Sequence, residues 1–575
     1  MTEPTNDQGE AFEIEDDAEV QDTEDGGAIV KLDEDSEPEA RGAFYDNLVE
    51  EIDDAKVKEI STELLKHIER DKQARAKRDE QYEEGLRRTG LGNDAPGGAQ
   101  FEGATRVVHP MLTEASIDFA ARAIKELFPS NGPVKDYIPG EITQKKLDKA
   151  QRKTKHMNRQ LTVDMREFRY ELEQLLTQLP LGGGQYLKLY WDKRAQRPTS
   201  LFIPIDDIYL PFAATNFYTA ERKTHVQYIT EAEYRRRVAS GMYRDVDLPA
   251  PESIPDESAS STANNKIEGR QADAYNDDGL RTVFEVYCYL DLEDDEDEDE
   301  GEGNPIQDPL ALPDAVEGEV DEEHEDEDEE VESAPKPYIV TIDKSTEEVL
   351  AIYRNWAEDD EKCEELTHIV EFPFVPWRGA YPIGLTHMIG GLTAAATGAL
   401  RALLDTAHIN NIPTLLKLKG GSAGGQSPSL QATGVTEIEG GLNVDDVRKL
   451  AMPLPFNPPS PVLFQLLGFL VDAGKGVVRT TFENLSDGAN PNMPVGTTLA
   501  LIEQGQTVFS AIHARLHNAM QRVLDVLHRL NRMYLDERVE LEEEGELYVT
   551  RKDYEGPVDV VPVSDPNIFS ETQRF

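Results

Sequence analysis

The chain has 575 residues, 38% of them apolar, and a formal charge of −55. That length builds several domains or one elongated multi-part subunit. Two cysteines, Cys288 and Cys363, are too few for a disulfide framework and form no Cys/His metal spacing, while an acidic, polar start is no signal peptide and no run of ~20 uncharged apolar residues offers a membrane span.

The charge is concentrated. Residues 1–54 carry 21 acidic groups against Lys31 and Arg41, and residues 291–332 carry 24 with no Lys or Arg. The rest of the chain holds only −12 of the total. The reading is an ordinary, mildly acidic body with two acidic appendages, and residues 1–54 are expected to be a disordered arm.

From about Lys56 to Arg88, Ile60, Leu64, Leu65 and Ile68 recur at helical spacing among charged residues. After a Gly/Pro-rich break near Asn93–Gly98, an apolar stripe of Met111, Ile117, Ala120, Ile124 and Leu127 predicts a second helix, stopped by Pro129. A third is expected from about Lys145 to Leu179, ended by Pro180. Gln185–Trp191 and Leu201–Ile208 read as strands. Residues 250–280, rich in Pro, Ser, Asn and Asp, read as a mobile loop. Phe284–Leu290 and Tyr338–Ile342 read as paired strands, which makes the second acidic block (291–336 with its flanks) a long hairpin insertion.

Leu385–Asn410 predicts a helix crowded with small residues, among them Gly390, Gly391, Ala394 and Gly398. Each glycine costs a helix roughly 1 kcal/mol relative to alanine, and close helix–helix approach is the usual compensation. A glycine-rich core helix within a single chain is the competing explanation. Short extended pieces follow at Thr414–Lys419, Val435–Leu442 and Leu450–Leu454. A helix is expected from Pro461 to about Leu485, then a polar loop Ser486–Gly496 and a long helix Thr497–Leu535.

No catalytic, cofactor or metal set emerges. Ala473–Gly476 (AGKG) lacks the upstream glycine and the following Ser/Thr of a phosphate loop, and Gly182–Gly184 precedes a strand where such a loop precedes a helix. The acidic run from Asp295 has Glu300 and Ile306 where a calcium loop needs Gly and Glu. His109, His387, His408, His513 and His517 are scattered, and no HExxH pattern surrounds the last two.

A series of short motifs carries a resemblance. Tyr353–Trp356 (YRNW) is followed by Asp359–Asp360, Phe372–Gly384 (FPFVPWRGAYPIG), His387–Gly391 (HMIGG) and Ala399–Asp405 (ALRALLD). Then come Leu415–Gly420 (LLKLKG), Met452–Phe456 (MPLPF) with Pro459–Ser460, and Met493–Leu499 (MPVGTTL). In this order the motifs resemble the portal proteins of short-tailed bacteriophages, over roughly residues 340–567. The acidic block 291–332 is unusually charged for that family. Val563–Asn567 (VSDPN) resembles the start of a helical crown, so the resemblance leads one to expect that crown to be shortened or absent.

The resemblance implies a mixed α+β fold, mainly α, assembled as a ring of about twelve subunits at one capsid vertex. It divides the chain into a wing (55–384), first stem helix (385–411), clip (412–460), second stem helix (461–485), tunnel loop (486–496), a long helix returning to the wing and crown base (497–560), and the start of a crown (561–575). Implied partners are further copies of the chain, double-stranded DNA, the terminase large subunit, a tail adaptor or head-completion protein, the major capsid protein and a scaffolding protein. The implied location is the virion, after assembly in the host cytoplasm.

A DNA conduit must not hold phosphate strongly, because each neutralised phosphate adds salt-dependent affinity. A mildly acidic body fits that need. Lys475 and Arg479 share one helix face, and Lys417 and Lys419 share one strand face. They are candidates to face DNA, or else to pair with acids of a neighbouring subunit or partner. Asp487, Asn490, Asn492 and Met493 are the tunnel-loop candidates. Two rival readings remain: an acidic interaction protein, DNA-mimicking or chaperone-like, and a DNA-processing enzyme, against which the missing catalytic set argues.

Overall fold

The computed structural model describes residues 19–22, 28–31, 43–92, 104–138, 143–249, 259–270, 280–292, 335–360, 362–411, 415–419, 436–439, 451–453, 460–482, 495–536, 538–541, 548–556 and 558–564, with side chains described outside 19–31, 411–459 and 478–510. A short ladder of β1 (Glu19–Asp22) and β2 (Ala28–Lys31) precedes α1 (Asp54–Arg87), α2 (Met111–Leu127), β3 (Val134–Asp136), α3 (Gln144–Arg159) and α4 (Phe168–Gly182). Next come β4 (Gly184–Asp192), β5 (Arg197–Ile203), β6 (Ile208–Tyr209), β7 (Arg222–Ile229), α5 (Glu231–Ala239) and α6 (Ala259–Glu268). Strands β8 (Arg281–Leu290), β9 (Lys336–Asp343), β10 (Val349–Arg354) and β11 (Ile369–Pro373) lead to α7 (Leu385–Asn411). Then follow β12 (Leu415–Lys419), β13 (Thr436–Glu439), β14 (Ala451–Pro453), α8 (Pro461–Phe482), α9 (Val495–Tyr534), β15 (Arg538–Glu540), β16 (Tyr548–Thr550) and β17 (Val560–Pro562). The chain is a mixed α/β protein.

Two sheets organise the first two-thirds. One is a five-stranded antiparallel sheet in the order β10-β9-β8-β7-β6, the other a three-stranded sheet in the order β11-β4-β5. Helix α1 buries Val57, Ser61, Leu64, Ile68, Asp71 and Arg75, a stripe at spacings of three and four. Leu64 and Ile68 pack with Val286, Val340 and Ile352 of the five-stranded sheet. The larger core joins Phe119 of α2 and Leu172, Leu175, Leu176 and Leu179 of α4 to Phe372 and Phe374. It also takes in Met520, Leu524 and Leu527 of α9. Apolar burial of this extent is the main favourable term holding the elements together.

Four expectations need correction. Residues 43–54 do not belong to a disordered arm. Leu48 and Val49 are buried, and the Asn47 side chain donates to the Leu350 carbonyl and accepts from the Ile352 amide, so this segment extends the edge of β10. The predicted helix 145–179 is two helices: a π-turn at Gln160–Asp164 and the non-helical Met165 break it, and the break lets Gln160 pair reciprocally with Asn531 of α9. Pro180 does not end α4 but sits in its last turn. The stop is Gly183, whose φ of 86° is left-handed. Within 250–280 lies α6, held by a Ser260 hydroxyl that donates to Asp206. The acidic block does join paired strands: β8 and β9 are antiparallel, with Leu290 opposite Lys336.

The junction of these parts is built by two arginines of α1. Arg75 is 3% exposed. Its guanidinium binds Asp79 and donates to the carbonyls of Ile205 and Ile208 at 2.8 and 2.5 Å. It also lies 5.5 and 5.2 Å from the ring centres of Tyr209 and Tyr381. Burial alone would lower its pKa, but Tyr381 and Asp79 outweigh it and raise it above the usual value. Arg78 donates to the carbonyls of Gly182 and Pro382, both at 2.8 Å.

Two outcomes follow. Arg75→Met keeps the bulk but strands the Asp79 carboxylate and removes one donor each from the Ile205 and Ile208 carbonyls. Removing one partner of a buried ion pair costs about 3–5 kcal/mol, so the calorimetric midpoint falls by several degrees; an unchanged midpoint would contradict the role given to Arg75. Joining Leu292 to Pro335 through Asn-Gly leaves the far-ultraviolet circular dichroism and the midpoint of the full chain intact, because the ladder partners Leu290 and Lys336 already stand at hairpin distance. Loss of either would mean the insertion contributes to the fold.

Candidate functional site

Helices α7 and α8 form an antiparallel pair set against α1, α2 and α4. At a rise of 1.5 Å per residue, the 27 residues of α7 span about 40 Å. One face of α7 is packed inside the chain: Leu385, Thr386, Ile389, Gly390, Thr393, Ala396, Thr397 and Ala399 are buried. Two close approaches set its position. A Cβ at Gly85 of α1 would stand 2.5 Å from Thr386 Cγ2, so only glycine lets α1 and the start of α7 cross here. The Thr386 hydroxyl donates to the Leu181 carbonyl at 2.8 Å, and Thr397 Oγ1 accepts from the His109 amide at 3.1 Å.

The opposite face of α7 is open. Gly391, Ala394, Ala395, Gly398 and Ala402 are exposed. A Cβ at Gly391 or Gly398 would meet no atom of the described residues within 4 Å. The four small residues expected to pack together therefore divide. Gly391, Ala394 and Gly398 lie on the outer face at helical spacing, whereas Gly390 faces inward beside Arg88 Nη1, 3.0 Å from where a Cβ would stand.

Helix α8 has the complementary character. Leu467, Leu470, Val471 and Val477 pack toward the core. At Gly474 a Cβ would collide with Met111 Sδ and Cε of α2, so the Met111 side chain packs directly on the α8 backbone there. Outward, Val462 is 71% exposed, Phe464 and Phe469 are each 69% exposed, and Leu466 is 46% exposed. This is a large apolar face with no cover from the described residues. Inspection of individual motifs does not reveal these outward side chains. The available signal is PVLFQLLGFLV, whose apolar residues extend round more of the helix than one packed face requires.

The basic candidates separate. Lys475 is exposed at the packed end of α8 and close enough to influence His109: burial lowers that imidazole's pKa, Glu114 raises it and Lys475 lowers it again. The side chains of Arg479, Lys417 and Lys419 lie outside the described residues. The backbone register sets Lys417 opposite Glu437 and Lys419 opposite Glu439, in a sheet of order β13-β12-β14. Asp487, Asn490, Asn492 and Met493 lie outside the described residues.

A second polar concentration joins the two sheets. Lys188 of β4 sits 2.5 and 2.6 Å from the carboxylate oxygens of Glu285 on β8, which also accepts from Gln227 and from the Tyr287 hydroxyl. Burial would raise the Glu285 carboxyl, but Lys188 and His225 outweigh it and hold it well below the usual carboxylate range. Burial beside Arg529 and Lys188 pushes His368 down to about 3. Next to this network lies a cavity of about 810 Å³ bounded by Tyr218, Lys223, Tyr289, Lys362 and Glu365. Lys223 is committed to Glu365 at 2.7 Å, and burial pushes the nearby Cys288 thiol up to about 12, which keeps it unreactive. These charges satisfy one another across a sheet junction. Among the described residues no group of His, Cys, Asp and Glu could hold a metal ion.

No protein-family model matches the chain, and no curated protein matches it in sequence.

The packing at Gly474 yields a graded outcome. Gly474→Ala is tolerated, since the flexible end of Met111 can move aside, whereas Gly474→Leu overfills the α2–α8 contact and costs about 1–3 kcal/mol. Chemical denaturation of both variants checks this; equal stability would show that the helices are not in contact at that point.

Proposed function

We propose that this chain is the portal subunit of a tailed bacteriophage, a non-enzymatic ring protein that conducts double-stranded DNA through one capsid vertex. The observation that carries the reading is the outward surface of the α7–α8 pair, small residues on α7 and large apolar ones on α8. The described residues leave both uncovered. Two different surfaces on one chain make a heterologous contact, which generates a ring when the rotation closes. The order of motifs from Tyr353 to Leu499 supports the same reading.

On this reading α7 and α8 are the stem, 412–460 the clip that meets the terminase large subunit and later the tail adaptor, and 486–496 the tunnel loop. The two sheets with α1–α4 form the wing, facing capsid and scaffolding proteins. Assembly takes place in the host cytoplasm and the ring resides in the virion. Contact with DNA is transient and sequence-independent. The mildly acidic body suits this, because few phosphates are neutralised and affinity stays low.

Negative-stain imaging and mass photometry of the purified chain test the proposal. Closed rings of about twelve subunits are expected; a monomer at every protein and salt concentration would overturn it. Gly398→Leu sharpens the test. The fold has room for that side chain, and a helix gains roughly 1 kcal/mol from losing the glycine, so the monomer remains folded while ring assembly fails. Normal rings from this variant would show that the outer face of α7 is not the contact.

A further inference from the structure

The strand–helix contact between β11 and α9 contains a carboxyl oxygen for which the described residues provide no partner. Glu371 of β11 is 8% exposed, and its Oε1 is buried without a hydrogen bond. Directly opposite in the ladder stands Tyr186 of β4, fully buried, whose hydroxyl is also unpartnered. Tyr218 closes the third side. Its hydroxyl accepts from the Glu371 amide at 3.0 Å, and its ring carries the Arg522 guanidinium of α9, 3.7 Å from the ring centre. Arg522 is exposed and stacked on the ring, so Tyr218 bridges the arginine to the strand bearing Glu371.

We propose that Glu371, Tyr218 and Arg522 form a proton-controlled latch between β11 and α9. With the carboxyl neutral, Arg522 rests on the Tyr218 face. When Glu371 releases its proton to solvent, the guanidinium moves off the ring to pair with the carboxylate, and α9 adjusts against β11. Two observations support the latch: the buried oxygen without a partner, and Arg522, the cation among the described residues that acts on it. It does not depend on ring formation.

The surroundings agree. Burial pushes the Glu371 carboxyl up to about 8, with Arg522 acting against that rise. Of the other groups near this contact, Tyr186 has Tyr381, Arg78 and Arg75 behind it, and burial holds its hydroxyl well above the usual value. Tyr218 is likewise raised by burial, with Arg522 opposing. Asp525, nearly one turn further along α9, is raised by burial and accepts from Gln521. None of these supplies a second cation to a charged Glu371.

The sign follows from linkage. An opened contact exposes Glu371 to solvent, where it ionises near its ordinary value, while the closed contact keeps the proton until about pH 8. Opening therefore releases a proton across that window, and the opening constant rises about tenfold per pH unit. Above the closed-state value the slope vanishes.

Hydrogen–deuterium exchange of the full chain, read over residues 511–534 between pH 6 and 9 and corrected for intrinsic chemistry, tests this at one fixed oligomeric state. The wild type is expected to show the tenfold-per-unit slope, flattening near pH 8. Glu371→Gln, nearly the same shape, is expected to lose it. Arg522→Gln, at an exposed position, is expected to continue the slope to pH 9, because the carboxylate then has no cation to meet. The same slope in wild type and Glu371→Gln, or a flattening unaffected by Arg522→Gln, would overturn the latch. Should Glu371→Gln not fold, the comparison of wild type with Arg522→Gln decides alone.

Discussion

Three separate pieces of backbone meet at one place, and Arg75 and Arg78 of α1 hold them there. The turn Ile205–Ile208, the end of α4 at Gly182 and the loop at Pro382 each present carbonyls to α1. Unpaired and buried, such groups would cost several kcal/mol together. Arg75 and Arg78 satisfy them from a single helix, and Asp79 with two tyrosine faces makes the burial of the Arg75 charge tolerable. The position of α7 follows from this junction, since the chain passes from Pro382 directly into the helix. The surfaces that α7 and α8 present outward are thus aimed by charge–dipole contacts at the foot of the hairpin.

Buried polar groups recur wherever two layers meet. Lys188 and Glu285 join the two sheets, Gln160 and Asn531 join α9 to the break between α3 and α4, and Lys153 with Asp559 joins α3 to the strand pair β17–β3. Each sits where apolar packing alone would allow sliding. A buried pair with fixed partners costs desolvation but permits only one register. In a subunit proposed to work as part of a rigid ring, fixed alignment between layers matters more than the last increment of stability. Glu371 differs from these pairs: its Oε1 is buried without a partner, and that is what makes it the moving part of the proposed latch.

Much of the secondary structure was legible because its signals are local. The α1 spacing from Ile60 to Ile68, the stop at Pro129 and the alternation in β8 and β9 each depend on residues within one element. The acidic block was legible as a hairpin insertion because charge and strand pattern change abruptly at its edges. The misreadings have equally specific causes. The helix from Lys145 onward has no local breaker near Gln160; it is interrupted because α9 offers Asn531 as a partner. Residues 43–54 look like the acidic arm before them, and only the edge of β10 makes Asn47, Leu48 and Val49 valuable. At the candidate site, the small residues of α7 could be counted in the sequence, but not sorted into an inner face with Gly390 and an outer one with Gly391, Ala394 and Gly398.

By itself the sequence determined composition, periodicity and order: two acidic segments on a mildly acidic body, a small-residue helix and an apolar helix flanking a short β region, and a motif series resembling one family. Those properties belong to residues near one another along the chain. The tertiary structure decided which face of each helix is spent inside the chain and which is left over. That depends on contacts such as Gly85 with Thr386 and Gly474 with Met111, made between residues hundreds of positions apart. A leftover surface is defined only by subtraction, once every internal contact has been made.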